Sequence, residues 1–401
     1  PHEFFTNSMV RQLWEQNTDI VLVDTGNSYE GLCDYVNGKY ISYTEEHPIT
    51  MNPFAIKREE LNIEKIGFLK NLVMLIWKGT NGKITKTEDH LIEDVITEYY
   101  DAYFRKRQVK ELSFNTFYEY STQRIPEIVK DNNLEGIDLA TYNYLLKDFY
   151  KGGNHELTLN ENLDTALFDE TFIVFEIDSI KDDPLLFPLV TLIIMDVFIQ
   201  KMRIKKNRKV LVIEEAWKAI ASPMMAEYIK YLYKTARKFW ASVGVVTQEI
   251  QDIVGSPIVK EAIINNSDVI MLLDQSKFKE RFDEIKAILG LTDVDCRKIF
   301  TINRLENKEG RSFFREVFIR RGQNAAVFGV EEPHECYMTY TTERAEKEAL
   351  KLYKRELKCS HQQAIEAYCR DWDRSGISKS LPFAQKVNQA GHVLNLKASQ
   401  K

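Results

Sequence analysis

The sequence predicts an α/β protein with a mostly parallel sheet, an inserted all-α domain and C-terminal helices. Three observations carry that reading. From about residue 170 to 289, strand-like apolar runs alternate with helical ones, the rhythm of a parallel sheet with crossover helices on both faces. Between Ile56 and Asp169 strand signals nearly vanish, and apolar residues recur every three or four positions. The run "RKVLVIEEAWKAI" (208–220) drives an apolar strand into two adjacent carboxylates, Glu214 and Glu215, and then into a helix.

The elements follow in order. "FFTNSMVRQLWEQ" sets Phe5, Met9 and Leu13 at helical spacing. "DIVLVDTG" is a short strand ending at Asp24, and "KYISYTEEHPITMNPF" is another, stopped by Asn52-Pro53. "LNIEKIGFLKNLVMLIW", "DHLIEDVITEYYDAYF" and "DLATYNYLLKDFY" are helices, the last capped at Gly152-Gly153. The Tyr and Phe of this segment would suit stacking of single strands, but their spacing is that of a buried helical face, which favours a bundle core. The rhythm then resumes with strands "TFIVFEID", "KVLVIEE", "ASVGVVTQ" and "DVIMLLDQ", separated by helices over 185–204, 216–238 and 257–266 and followed by a helix over 278–289. Residues 312–330 read as a hairpin turning at Gly322-Gln323-Asn324. Thr341 to Trp372 is amphipathic helix, and the lysine-bearing tail beyond Gly376 is expected to be mobile.

Composition narrows the function. A chain of 401 residues suggests two or three domains with ample core. A hydrophobic share of 44% with a charged share of 28% is ordinary for a soluble globular protein, and the net charge of -6 argues against a general nucleic-acid coat while allowing a local basic patch. Cys33, Cys296, Cys336, Cys359 and Cys369 show no CxxC spacing, which points to reduced structural thiols. His334 and Cys336 read as surface residues. The most apolar run, 185–199, contains Asp196 and is too short to span a bilayer, so a buried helix is expected.

In open parallel sheets functional groups gather at the carboxyl ends of strands. The ends here are Asp24, Asp178, Glu214-Glu215, Thr247-Gln248 and Asp274-Gln275. Each has an ordinary explanation: Glu215 favours a helix N-terminus, and Thr247 suits the N-cap of "QEIQDIV". Their order says more. Nucleotide hydrolysis needs a carboxylate on the magnesium shell, an acid to orient water and a polar sensor near the γ-phosphate. Glu214, Glu215 and Gln248 suit these roles in turn. Adjacent strand residues point to opposite faces, so both acids serve only if the strand ends there. Arg237 is either a cation completing a helix C-terminus or an arginine reaching a neighbouring subunit's nucleotide. Arg320 and Arg321 on the hairpin are weaker candidates for that task. The run "KMRIKKNRK" (201–209) suits DNA phosphates, but a solvated helix end explains it more simply.

No GxxxxGK[ST] occurs in the sequence. The alternation places such a loop immediately before Phe4, and the chain starts at Pro1, so the N-terminus is expected to cut through a phosphate loop.

The blocks "FFTNSMVRQLWEQNTDIVLVDTGNSYEGLC", "ITMNPF", "VLVIEEAWKAIASPMMAEYIKYLYKTARKFWASVGVVTQEIQDI" and "IINNSDVIMLLDQ" resemble the TraG-like ATPases of Bacteroides conjugative transposons, relatives of the large VirB-type ATPase of type IV secretion. The resemblance covers nearly the whole chain and is most specific from Val210 to Gln251. It implies a RecA-like P-loop NTPase fold of the FtsK/HerA class. The expected layout is a first part of the motor domain over 1–55, an all-α insert over 56–169, the rest of the motor domain over 170–336, and C-terminal helices and tail over 337–401. It also implies ATP and Mg2+ as cofactors, and a hexameric homo-oligomer acting with other secretion-channel proteins. The protein would be cytoplasmic and peripheral to the inner membrane, with DNA as a possible contact. By the same resemblance, Glu214 and Glu215 match the Walker B acids, with Glu where Asp is usual, and Glu214 would hold magnesium through water. Asp24 matches the acidic motif after the second strand, Arg237 the arginine of "TARK" and Gln248 the polar sensor. His2-Glu3 stand where the family has Lys-Ser, and a glutamate there repels phosphate. These residues are therefore expected to be foreign to the native protein, and this chain to be inactive. Two other functions fit the same elements: a HerA/FtsK-type DNA translocase or helicase, and a non-catalytic docking module for channel partners.

Overall fold

The computed structural model describes residues 2–220, 223–248, 255, 257–304 and 314–394. Five strands, β1 (Asp19–Asp24), β2 (Lys39–Ser42), β3 (Phe172–Glu176), β4 (Lys209–Glu214) and β5 (Ala241–Val246), form a sheet in the order β2-β3-β1-β4-β5. Every residue of β1, β3 and β4 is buried, as expected of strands covered on both faces. β4 and β5 pair in parallel, from Lys209 opposite Ala241 to Glu214 opposite Val246. The edge strand β5 is mostly half-buried.

A second sheet, β6-β7-β8, is antiparallel and consists of Val269–Leu272, Arg315–Arg321 and Asn324–Val330. This corrects the expectation that "DVIMLLDQ" continues the parallel sheet and sets Asp274-Gln275 on its functional edge. Val269 and Met271 are exposed while Ile270 and Leu272 are half-buried, the alternation of a one-sided antiparallel strand. The residues fall into two compact units, one of Pro1–Tyr40, Thr171–Val174 and Ile264–Lys401, the other of Ile41–Glu170 and Phe175–Ile263.

In the first unit, α1 (His2–Glu15) leads into β1, and α2 (Glu30–Tyr35) packs against the helix His334–Tyr340. Gly31 permits that approach, since a Cβ there would lie 2.2 Å from the Thr339 carbonyl oxygen. Helices Arg344–Leu357, His361–Ser375 and Ser380–Ala390 bury Leu350, Tyr353, Tyr368, Trp372, Phe383 and Val387 together. The stretch beyond Gly376 is thus largely a packed helix rather than a mobile tail, because Phe383, Ala384 and Val387 give it an apolar face. Residues 395–401 of the expected tail lie outside the described residues. Cys336 is also not a surface residue: it is buried beside the Arg11 guanidinium, and His334 stacks on Trp372 at 4.0 Å. Arg320 donates to the carbonyls of Leu289 and Gly290, completing the C-terminus of the helix Phe282–Leu289.

In the second unit the described elements between β2 and β3 are all helical, led by α3 (Ile63–Lys78), α4 (Lys86–Phe104), α5 (Phe114–Asp131) and α6 (Leu139–Leu146). Phe54, Tyr99, Phe114 and Phe117 are buried ring against ring, so these aromatics build a core rather than a stacking platform. The apolar run at 185–199 lies in α7 (Leu186–Ile204), a buried helix as expected, and no described helix is long and apolar enough to cross a membrane. Its one acid is satisfied: Asp196 accepts from Lys65 of α3 at 2.9 Å and from Gln200 at 2.8 Å. Phe68 of α3 packs on Tyr228 of α9 (Pro223–Ala236), with ring centres 5.6 Å apart. Together these contacts anchor the helical segment on α7 and α9.

The basic run 201–209 is solvated in part: Arg203, Lys206 and Arg208 are exposed, as expected of a helix end with its loop, while the lysines at its two ends are not. Lys201 is fully buried, its ammonium donating to the carbonyls of Phe168 and Glu170, and buried Lys209 donates to the Lys205 carbonyl at 2.6 Å. Long stems that bury while their heads meet backbone carbonyls explain how this charge enters the fold.

Removing one partner of a buried ion pair strands the other charge. Lys65→Met is expected to cost about 3–5 kcal/mol in urea unfolding, whereas Lys65→Met with Asp196→Leu should recover most of that loss.

Candidate functional site

The end of β4 is built by a change of backbone direction. Glu214 is its last paired residue and is buried. Glu215 leaves the strand with φ of 52°, a left-handed conformation uncommon outside glycine. Its amide donates to the Val246 carbonyl at 3.1 Å, and its own carbonyl accepts from the Lys218 amide at 3.0 Å. The short helix α8 (Ala216–Ile220) follows at once. The strand therefore stops between the two acids, as their joint use requires. One carboxylate oxygen of Glu215, Oε2, accepts the Trp217 indole N–H at 2.8 Å. Lys218 lies 5.5 Å from the Trp217 ring and pairs with Asp182 of the post-β3 loop at 3.3 Å.

Gln248 is exposed two residues beyond Val246, the residue whose carbonyl holds Glu215. It thus shares the carboxyl end of the β4–β5 pair with the acids. Arg237 is elsewhere. It is exposed in the turn Arg237–Phe239 that closes α9, ahead of the first residue of β5. The length of β5, about 17 Å at the strand rise, separates that end from the acids of the same chain. The expected helix starting at Gln248 lies mostly outside the described residues. Asp178 accepts from Lys181 at 2.7 Å, a local ion pair near the surface.

Asp24, in the other unit, ends β1 fully buried. Its carboxylate accepts from the backbone amides of Gly26 at 3.0 Å, Ser28 at 2.8 Å and Tyr29 at 3.2 Å, gathering the loop after the strand. Burial pushes its carboxyl above the ordinary value, the amide donors pull it back, and the negative charge of Glu3 adds to the rise. Asn7 of α1, fully buried, donates to the carbonyls of Glu3 and Ser28 and so ties the helix to the same loop.

Sequence reasoning missed Trp217 and Asn7. The signal for Trp217 was its position two residues after Glu215 at a strand-to-helix turn, where an indole donor can reach back. Asn7 carries no local signal beyond being a polar residue inside an amphipathic helix.

The chain matches the TraG P-loop domain over residues 2–372. Protein TraC of Escherichia coli (strain K12) is 22% identical over 288 residues, covering 69% of this chain and 31% of TraC. The chain thus spans about a third of the length of the curated relative it matches. Among solved structures, VirB4 of Thermoanaerobacter pseudethanolicus superposes with a TM-score of 0.60 at 20% identity, over 83% of this chain and 87% of VirB4. The conjugative coupling protein TrwBΔN70 does so with a TM-score of 0.51 at 11% identity, over 82% of each chain. These likenesses show the RecA-like α/β fold.

Asp24 yields a sign-specific prediction. Between its ordinary value and its raised one, the native state holds a proton that the unfolded state has released, so its contribution to stability falls as pH rises through that window. The unfolding free energy of the wild type minus that of Asp24→Asn should therefore decrease with rising pH across the window in urea titrations.

By the match that spans residues 2–372, the chain belongs to the TraG P-loop domain family.

Proposed function

We propose that this chain is the motor domain of a conjugative-transfer ATPase, whose hydrolysis of ATP drives assembly of, or substrate transfer through, a type IV secretion channel. The observation that carries this is the pair of consecutive carboxylates released by the stop of β4 beside the end of β5, in a member of the TraG P-loop domain family. Conjugation enters through the relatives, of which TrwB is a conjugative coupling protein.

Glu214 and Glu215 offer oxygen ligands only, the donor set magnesium prefers when phosphate and water complete its shell. Among the described residues no cluster of three His, Cys, Asp or Glu could hold a metal alone, which suits an ion shared with a nucleotide. Magnesium, when bound with ATP, would offset charge on the phosphates. Glu214 would hold it through water, and Glu215 would orient the attacking water. Gln248 would sense the γ-phosphate. Asp24 would fix the loop after β1 rather than touch the metal, since three loop amides already use its carboxylate.

Arg237 sits at the far end of β5 from the acids of its own chain, which favours action on a neighbouring subunit's nucleotide. With that reading goes a homo-oligomer, which the family resemblance makes a hexamer. We assign the motor domain to residues 1–55 and 170–336, the all-α insert to 56–169 and the C-terminal helices to 337–401. We further place the assembly at the cytoplasmic face of the inner membrane with other channel proteins. The DNA-translocase alternative draws less from these runs than their composition suggests, because Lys201 and Lys209 donate to backbone carbonyls inside the fold, although Arg203, Lys206 and Arg208 stay exposed.

No GxxxxGK[ST] lies within the 401 residues, so turnover is to be measured on a form carrying that loop ahead of Phe4. There Glu215→Gln should keep Mg-ATP affinity within a few-fold while kcat falls about 100-fold or more. Wild-type turnover in that variant would sink the assignment. Mixing Arg237→Ala with Glu215→Gln subunits should restore part of the activity that each lacks alone, and no recovery would place Arg237 outside a shared site.

A further inference from the structure

Glu215 is unusual in being held by its neighbours at every polar group. Its amide and carbonyl are fixed by Val246 and Lys218, and its carboxylate by the Trp217 indole N–H at 2.8 Å. The indole is half-buried, and its ring faces the Lys218 ammonium at 5.5 Å. A cation at the ring face draws electron density from the indole and makes its N–H a better donor. Lys218 is itself placed by Asp182 at 3.3 Å, on the loop that follows β3. A chain of contacts, Asp182 to Lys218 to Trp217 to Glu215, thus joins two strand-end loops to one carboxylate oxygen.

We propose that Trp217 is a positioning residue for Glu215, an inference that rests on the assignment of Glu215 as the group orienting the attacking water. The indole N–H engages Oε2 and so aims the carboxylate. The water-orienting oxygen is then Oε1. Lys218 and Asp182 act one step further out, by fixing the ring.

The test is the separate measurement of kcat and of KM for Mg-ATP on the form carrying a phosphate loop, for Trp217→Phe and for 3-benzothienylalanine at position 217. The second replaces N–H by sulfur without changing ring shape, so it decides the matter if Trp217→Phe does not fold. Both should lower kcat about ten-fold, the equivalent of 1.4 kcal/mol, and leave KM for Mg-ATP within about two-fold. A merely structural ring would leave kcat at the wild-type value with the isostere, which keeps the ring and removes only the N–H. A wild-type kcat in the isosteric variant would overturn the inference while leaving the Glu215 assignment intact, provided Glu215→Gln is inactive. If Glu215→Gln turns over at the wild-type rate, the underlying assignment falls and the inference with it.

Discussion

Side chains alternate along a strand, so two consecutive carboxylates can serve one site only where the strand stops between them. That constraint shapes the carboxyl end of β4. Glu214 keeps its place opposite Val246, while Glu215 adopts a left-handed backbone that costs about 1–2 kcal/mol for a residue bearing a Cβ. The cost is borne because the surroundings over-determine it: Val246 takes the amide, Lys218 the carbonyl and Trp217 the carboxylate. Strain held by so many partners is the kind found where geometry matters to chemistry.

The rest of the second unit keeps that turn in place. β4 is buried along its whole length, and its pairing with β5 sets the position of Val246. Behind it, α7 is an almost wholly buried helix whose single acid is matched by Lys65 from the inserted helical segment. The insert meets α7 and α9 through a specific ion pair, Lys65 with Asp196, and an aromatic contact, Phe68 on Tyr228. Lys201 and Lys209 close the end of α7 and the start of β4 from within, so charges that read as surface are part of the support.

Much of this was legible in the sequence because it rests on local signals. The apolar strand, paired acids and helix start of "VLVIEEAWKAI" sit within one short window, and the period of the residues after Ile56 is helical throughout. What escaped depends on distant partners. β6 carries an apolar run like a parallel strand, and only its pairing with β7 shows that it belongs to another sheet. Lys201 looks solvated until the carbonyls of Phe168 and Glu170 are brought beside it. Asp24 matched a family motif, yet its loop amides, which no sequence pattern displays, give it a structural task. Trp217 had a readable position but no reason to be singled out before its bond to Glu215 was seen.

The measurement that bears most directly on the central claim is calorimetric titration of ADP with and without magnesium, on a form carrying the phosphate loop, for the wild type and Glu214→Ala. If the end of β4 holds the ion, magnesium should tighten ADP binding in the wild type, and Glu214→Ala should lose most of that gain while binding metal-free ADP unchanged. An equal magnesium effect in both proteins would mean that Glu214 is only a buried strand residue, and the reading of this strand end as half of a nucleotide site would be wrong.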